Sequence, residues 1–134
     1  MQPPAHTQDT AVDRLLARGG LIDITTTGRR TGRPRRIEIV FHNIDGRLFI
    51  SGMPRRDRKR AWILNLEADP HLTLHLKGTI FTDLPATARI VTDPAERRAI
   101  AEWLVGNAWP RMEVDWMTAW SPMIEVTLDR TAEG

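Results

Sequence analysis

"LIDITTTGRRTGRPRRIEIVFHNIDGRLFIS", Leu21 to Ser51, is the stretch whose reading decides the fold. Apolar and polar residues alternate along it, with Ile22 and Ile24 on one side of the first run and Ile37, Ile39 and Phe41 on one side of the second. Period-two alternation is the pattern of a strand that buries a single face. "NIDG" then supplies hairpin-turn chemistry ahead of "RLFIS". The stretch therefore predicts strands over 21–27, 35–42 and 47–51, the first two joined by a loop of glycines and arginines.

Outward from these strands the pattern continues. Thr10 to Arg18 predicts a short helix that buries Val12, Leu15 and Leu16 and stops at Gly19-Gly20. "RAWILNLEADP" (60–70) predicts another helix, closed by Asp69-Pro70. "HLTLHLK" (71–77) alternates strictly, and Lys77-Gly78 turns it into a long strand over 79–91. Pro85 cannot donate to a ladder, so this strand should bulge or lie at an edge there. "DPAERRAIAEWLV" opens with an Asp cap, a first-turn Pro and Glu96 in capping-box register. A further helix is predicted from about Pro110 to Trp120, and "MIEVTL" (123–128) closes the chain as a sixth strand. Six short, mainly antiparallel strands interrupted by helices define an α+β domain with a small barrel or strongly bent sheet. Residues 9–134 read as one domain behind a disordered tail at 1–8, because 134 residues is an ordinary single-domain length.

Composition narrows the chemistry. Hydrophobic residues at 41% and charged residues at 27% are globular values, so no staple is needed to complete the core. The absence of cysteine removes disulfides, thiolate catalysis and cysteine-based metal sites. The start, "MQPPAHTQ", has neither a basic nor an apolar signal region, and no apolar run approaches the ~18 residues of a spanning helix. A cytoplasmic protein without an integral membrane segment is expected.

The net charge of +2 hides an uneven distribution. Residues 28–36 carry five arginines and no acid, while "MPRRDRKR" (53–60) carries five bases against Asp57. The rest of the chain is net acidic, so the two loops point to an anionic partner. Antiparallel strands put both loops at one end of the sheet, as neighbours.

Gly28 and Gly32 let the first loop turn and bare its amides, while Arg29, Arg30, Arg33 and Arg35 present forks suited to phosphate or carboxylate. The spacing is neither a Walker loop nor a dinucleotide fingerprint. A solvated hairpin tip would carry the same charge. A nucleic-acid site would add stacking aromatics, yet the chain has no Tyr, and only Trp62 lies near the basic loops. A small anionic cofactor would need an apolar slot instead, which Ile50, Met53 and Trp62 can supply.

Trp109, Met112, Trp116 and Trp120 fall at helix-compatible spacing and read either as buried core or as a lid over an aromatic pocket. His71 and His75 share a strand face about 13 Å apart, too far to chelate one metal, and no carboxylate pattern accompanies them in sequence. Ser51 has no evident His/Asp relay. No metal site and no titrating catalytic residue is assigned.

The quoted stretch, followed by "WILNLEADPHLTLHLK", resembles the deazaflavin-dependent nitroreductase family, within the flavin/deazaflavin oxidoreductases of split β-barrel fold. The shared pattern is a strand ending T-T-G-R-x-[ST]-G-x-P-R, a hydrophobic strand, a D-G turn and W-x-x-N-L-x-A-[ND]-P, matched from about Leu21 to Lys77. This resemblance implies a six-stranded split barrel with flanking helices. It implies coenzyme F-420, a phosphorylated 8-hydroxy-5-deazaflavin with an oligoglutamate tail, as cofactor, with FMN as the alternative on the same scaffold. By position, Arg29, Arg30, Thr31 and Arg35 would hold phosphate and tail. Ile37, Ile50, Ser51, Gly52 and Met53 would border the ring, with Arg55 and Arg56 near the phosphate and Trp62 packing close by.

The implied reaction is hydride transfer between the cofactor and a small quinone- or nitroaromatic-like acceptor, with Trp109, Trp116 and Trp120 walling the substrate pocket. The cofactor carries such chemistry, which accounts for the lack of a catalytic triad. The chain departs from the family pattern in the arginine-rich "MPRRDRKR" and in its lack of tyrosines near the C-terminal helix. Homodimerisation is compatible with the scaffold. The rival readings are a non-catalytic deazaflavin- or lipid-binding module and a basic nucleic-acid binder.

Overall fold

A computed structural model describes residues 4–57 and 59–129, with residues 4–10 described in backbone only. The elements run α1 (Pro4–Arg18), β1 (Gly20–Thr27), β2 (Pro34–Ile44), β3 (Arg47–Ser51), α2 (Ala61–Ala68), β4 (His71–Lys77), β5 (Phe81–Ile90), α3 (Pro94–Asn107), α4 (Val114–Trp120) and β6 (Met123–Leu128). All six strands pair antiparallel in a closed barrel of order β1-β2-β3-β6-β5-β4. Helix α1 begins at Pro4, ahead of the Thr10 start read from the pattern, and Met1–Pro3 of the expected tail lie outside the described residues. No helix among the described residues is long and apolar enough to cross a membrane.

Local chemistry sets the joints. Gly19, at φ +71°, ends α1 by donating its N–H to Leu15, and a Cβ there would meet the Phe41 carbonyl at 2.9 Å. Asp45 and Gly46 both have positive φ between β2 and β3, as a two-residue hairpin turn of the mirror-image type requires. The Asn43 side chain steadies that turn by accepting the Gly46 N–H at 2.8 Å.

Two apolar clusters share the barrel wall. Inside it lie Ile22, Ile24, Ile50, Leu74 and Ile124, all essentially inaccessible. Outside it, α3 and α4 cover Phe49 and Met123 with Ile100, Leu104 and Met117. Strand β3 is therefore buried on both faces from Leu48 to Ser51.

The barrel is paired unevenly. Strand β2 meets β3 only from Phe41 onward, so Pro34–Val40 have β1 on one side and no strand on the other. Strand β5 is similarly open on its β6 side before Ala86. Pro85 sits where that open stretch ends, its carbonyl accepting the Asp129 N–H at 2.9 Å, and the β4–β5 register passes it without a bulge. Of the two accommodations expected for this proline, the edge is the one used.

One helix differs from the sequence reading. Helix α4 starts at Val114, not near Pro110, and Trp109 and Met112 lie in the preceding turn. The Trp109 N–H is spent on the Leu104 carbonyl at the end of α3, and Met112 N–H on the Trp109 carbonyl. Helical spacing in the sequence thus coincided with a turn that closes one helix before the next begins.

Candidate functional site

The open stretch of β2 faces a cleft. Strand β3 ends at Ser51, and the chain leaves the barrel as the basic 52–60 loop before re-entering as α2. The gap is a cavity of about 870 Å³ whose walls include Ile37, Val40, Ser51, Met53, Trp62 and Trp109. Arg29 of the first basic loop and Arg55, Lys59 and Arg60 of the second line the same cavity, so the fold brings the two loops together.

A second groove of about 600 Å³ continues from it beneath the Gly-Arg loop and takes in Arg30, Thr31, Arg35 and Asn65. Arg29, Ile37, Ala61 and Trp62 line both spaces, so the two adjoin along these residues and form a trough with an apolar end and a basic end.

The Gly-Arg loop is folded on itself. Gly28 N–H donates to the Arg33 carbonyl, Gly32 N–H to the Gly28 carbonyl, both at 2.8 Å, and Arg33 N–H to Thr31 Oγ1 at 3.1 Å. A Cβ on Gly28 would sit 3.1 Å from the Arg33 carbonyl, so a side chain there would push that carbonyl back by a few tenths of an ångström.

Asn65, buried on the apolar helix α2, ties this loop to the barrel. Its Nδ2 donates to Thr26 Oγ1 at 3.0 Å and its Oδ1 accepts the Arg29 N–H at 3.1 Å. The sequence carried Asn65 inside the W-x-x-N-L motif, yet it was not singled out. A polar residue amid "AWILNLEA" is the signal that could have found it, since a buried amide needs partners.

Charge in the trough is mostly unspent. Of the first loop's arginines, Arg29, Arg30, Arg33 and Arg35 form no ion pair among the described residues and Arg36 is neutralised by Asp23 at 2.9 Å, while in the second loop Arg55 pairs with Asp57 and Lys59 with Glu67. Lys77 bridges Asp23 and Glu38 on the barrel exterior, and Lys77 and then Arg36 hold the Asp23 carboxyl below its usual range.

Two polar atoms at the apolar end lack a partner. Ser51 Oγ is buried without a hydrogen bond, as is Arg60 Nε, while Arg60 Nη2 donates to the Met53 carbonyl at 2.9 Å. Gly52 lies against Pro122, where a Cβ would come within 3.1 Å of the ring.

The remaining expected site residues separate. Ile50 is wholly buried in the barrel and backs the cleft without facing it. Of the three tryptophans, only Trp109 lines the trough. Its ring meets His42 edge-on at 5.7 Å, and Trp103 meets the same imidazole from another side at 5.7 Å. His42 was not expected at the site. Burial pushes its pKa down, and its Nε2 has no partner. Trp116 and Trp120 pack on each other at 6.3 Å, and Trp120 lines a different cleft together with Arg56.

Carboxylates do accompany the histidines of β4, contrary to the sequence reading. His75 Nδ1 meets Asp83 at 2.8 Å and its Nε2 meets Thr25 Oγ1 at 2.6 Å, while His71 meets Asp69 at 2.9 Å. The strand register supplies the partner of His75, since Asp83 stands opposite it on β5. Among the described residues no group of three such side chains is placed to hold a metal.

Comparison with known proteins agrees with this architecture. A family model described as F420H(2)-dependent quinone reductase matches residues 5–127. Among solved structures, one described as an F420 reductase aligns with a TM-score of 0.67 at 20% identity, covering 88% of this chain and 93% of that one. An F420-H2 dependent reductase aligns at 0.57 and 20% identity, over 82% of this chain and 94% of its own. A protein described as a domain-swapped dimer aligns at 0.61 and 19% identity, over 93% and 100%. At these identities the structural likenesses concern the fold.

Proposed function

The chain belongs to the F420H(2)-dependent quinone reductase family, and on that premise we propose that it moves a hydride between coenzyme F-420 and a small quinone- or nitroaromatic-like acceptor in the trough between β2 and the 52–60 loop. The observation that carries this reading is the continuity of the trough, from an apolar slot at Ile37, Met53 and Trp62 to the unpaired Arg29, Arg30 and Arg35. A flat apolar ring with an anionic tail has the same two-ended chemistry.

The residues present fit such a group. Ser51 Oγ is a buried donor and acceptor awaiting a partner at the slot, suited to the polar edge of a tricyclic ring. The arginine forks suit phosphate and carboxylate oxygens, each charge-assisted bond contributing about 1.5–3 kcal/mol. When bound, the cofactor supplies the hydride chemistry.

The chain's own work is placement. Asn65 fixes the Gly-Arg loop, and the loop's arginines then hold the ligand's anionic end without first breaking ion pairs of their own. Trp62, Met53 and Trp109 shield the slot from water, and His42 with Trp103 backs Trp109. Trp109 thereby becomes the tryptophan assigned to the acceptor wall. A homodimer belongs to the same proposal, supported by the domain-swapped relative, and sedimentation velocity tests it.

The test of the cofactor reading is a titration of the pure protein with coenzyme F-420, FMN and a DNA oligonucleotide, followed by tryptophan fluorescence. Micromolar saturation by the deazaflavin alone is expected. Binding only to DNA, weakening with salt, would replace the reading with a nucleic-acid one. Oxidation of the reduced cofactor with menadione and with a nitroaromatic then identifies the acceptor class.

A further inference from the structure

On the far side of the 52–60 loop lies a second cleft, of about 450 Å³, within the size range of small-molecule sites. The loop, α2, the end of β5, the start of α3 and the α4–β6 junction enclose it. Arg55, Lys59 and Arg60 line both this cleft and the cofactor trough, but Ile63 and Glu67 of α2 line only the cleft whereas Ala61, Trp62 and Leu64 line only the trough, so the loop and α2 stand between the two.

The cleft is strongly basic. Arg55, Arg56, Lys59, Arg60 and Arg97 line it, opposed by Glu67. Lys59 is spent on Glu67 at 2.7 Å, and Arg55 on Asp57 at 3.1 Å. Among the described residues Arg56, Arg60 and Arg97 have no carboxylate partner.

Arg97 is the informative one. Its guanidinium is partly buried and donates to three backbone carbonyls, Thr118 at 2.8 Å, Val91 at 3.0 Å and Ser121 at 2.7 Å. These bonds satisfy three of its five N–H groups and leave its charge uncompensated, and burial lowers its pKa accordingly. Ser121 beside it is 2% exposed, and its Oγ has no hydrogen-bond partner.

The rest of the surface is apolar. Ile63, Val91, Pro122 and Met123 line it, and Trp120 offers a partly exposed indole at its wall. A bare inorganic anion would use the charge and leave this surface wet. An anion with an aromatic body would use both.

We propose that this cleft is a second ligand site, for an aromatic carboxylate, separate from the cofactor trough. The carboxylate meets Arg56 and Arg97, and the ring lies on the apolar surface beside Trp120. The proposal does not depend on which cofactor occupies the trough.

The test is calorimetric titration of the full chain with 1-naphthoate and with uncharged 1-naphthylmethanol, each with and without saturating coenzyme F-420. Saturable binding of one naphthoate per chain is expected, at least tenfold tighter than the alcohol and within twofold the same when coenzyme F-420 is present. Thr92→Glu sets an acid at the cleft on an exposed residue and should weaken naphthoate at least tenfold while leaving coenzyme F-420 affinity unchanged. Arg56→Gln should weaken naphthoate as well. Equal binding of the alcohol, no saturable binding, or indifference to both substitutions would overturn the proposal. Displacement of naphthoate by coenzyme F-420 would also overturn it as a separate site. In that case a tail-less deazaflavin riboside shows whether the cofactor's tail carboxylates are the occupant.

Discussion

The side-chain carbonyl of Asn65 accepts the backbone N–H of Arg29 at 3.1 Å, so one buried amide on α2 holds the first arginine of the Gly-Arg loop against the barrel. The same side chain donates to buried Thr26 Oγ1. Loop position and barrel packing therefore depend on a single residue.

Asn65→Leu keeps most of the volume and removes both hydrogen bonds. A stability loss of roughly 1–3 kcal/mol is expected from the partners left unsatisfied, together with at least tenfold weaker coenzyme F-420 binding. Denaturant unfolding and fluorescence titration measure the two separately. Full cofactor affinity in a destabilised variant would show that the loop does not need this anchor.

The double substitution Arg30→Ala with Arg35→Ala should act in the opposite way. Both residues are exposed and form no ion pair among the described residues, so the melting temperature should stay within a degree or two. Loss of charge-assisted bonds of about 1.5–3 kcal/mol each should raise the dissociation constant at least tenfold. Unchanged affinity would mean that the loop binds something else.

Gly28→Ala tests loop closure. The added Cβ would press on Thr31 Oγ1 at 3.0 Å and the Arg33 carbonyl at 3.1 Å, and backbone cannot yield as a side chain can. A destabilisation of about 1 kcal/mol or more, with weaker cofactor binding, is expected. Gly46→Ala, at a turn with open space around it, should cost stability through its φ of +85° alone and leave binding intact.

Stability should fall in acid through Glu125. Arg47 and Arg89 grip this carboxylate, and its pKa drops from 4.5 to about 2. A depressed folded pKa means that the unfolded chain takes up the proton first. The stabilisation is therefore whole above about pH 4.5 and drains away as pH falls towards 2. Urea unfolding across this window should show a shallower pH dependence in Glu125→Gln than in the parent, and matching slopes would remove Glu125 from the account.

Burial of His42 works in the same direction at milder pH. Its pKa is lowered in the folded state, so stability is lost as pH falls below about 6.5, where the unfolded imidazole protonates. His42→Phe keeps a ring between Trp103 and Trp109 and should flatten the stability profile between pH 7 and 5. An unaltered profile would show that His42 does not titrate in this range.

Period-two alternation and turn chemistry were enough to read the six strands, the Asp45-Gly46 hairpin and the Asp93 cap, because each is fixed by neighbours within a few residues. The Asp93 side chain does accept the Glu96 N–H at 2.9 Å. Helical spacing was a weaker guide, and it carried Met112 into a helix that starts only at Val114. The motif shared with the deazaflavin enzymes, quoted from residues alone, already contained the loop, Trp62 and Asn65.

What the sequence determined, then, was the succession of six strands along the chain, the charge of the two loops and the class of partner they suit. Only the tertiary structure decided which side chains meet. It opened β2 beside the end of β3, left Ser51 Oγ buried without a partner, set Asp83 against His75, and put Trp109 and Trp120 in different clefts. Alternation says which face a residue takes, whereas a cleft arises where paired strands part, and that depends on contacts between residues far apart in the chain.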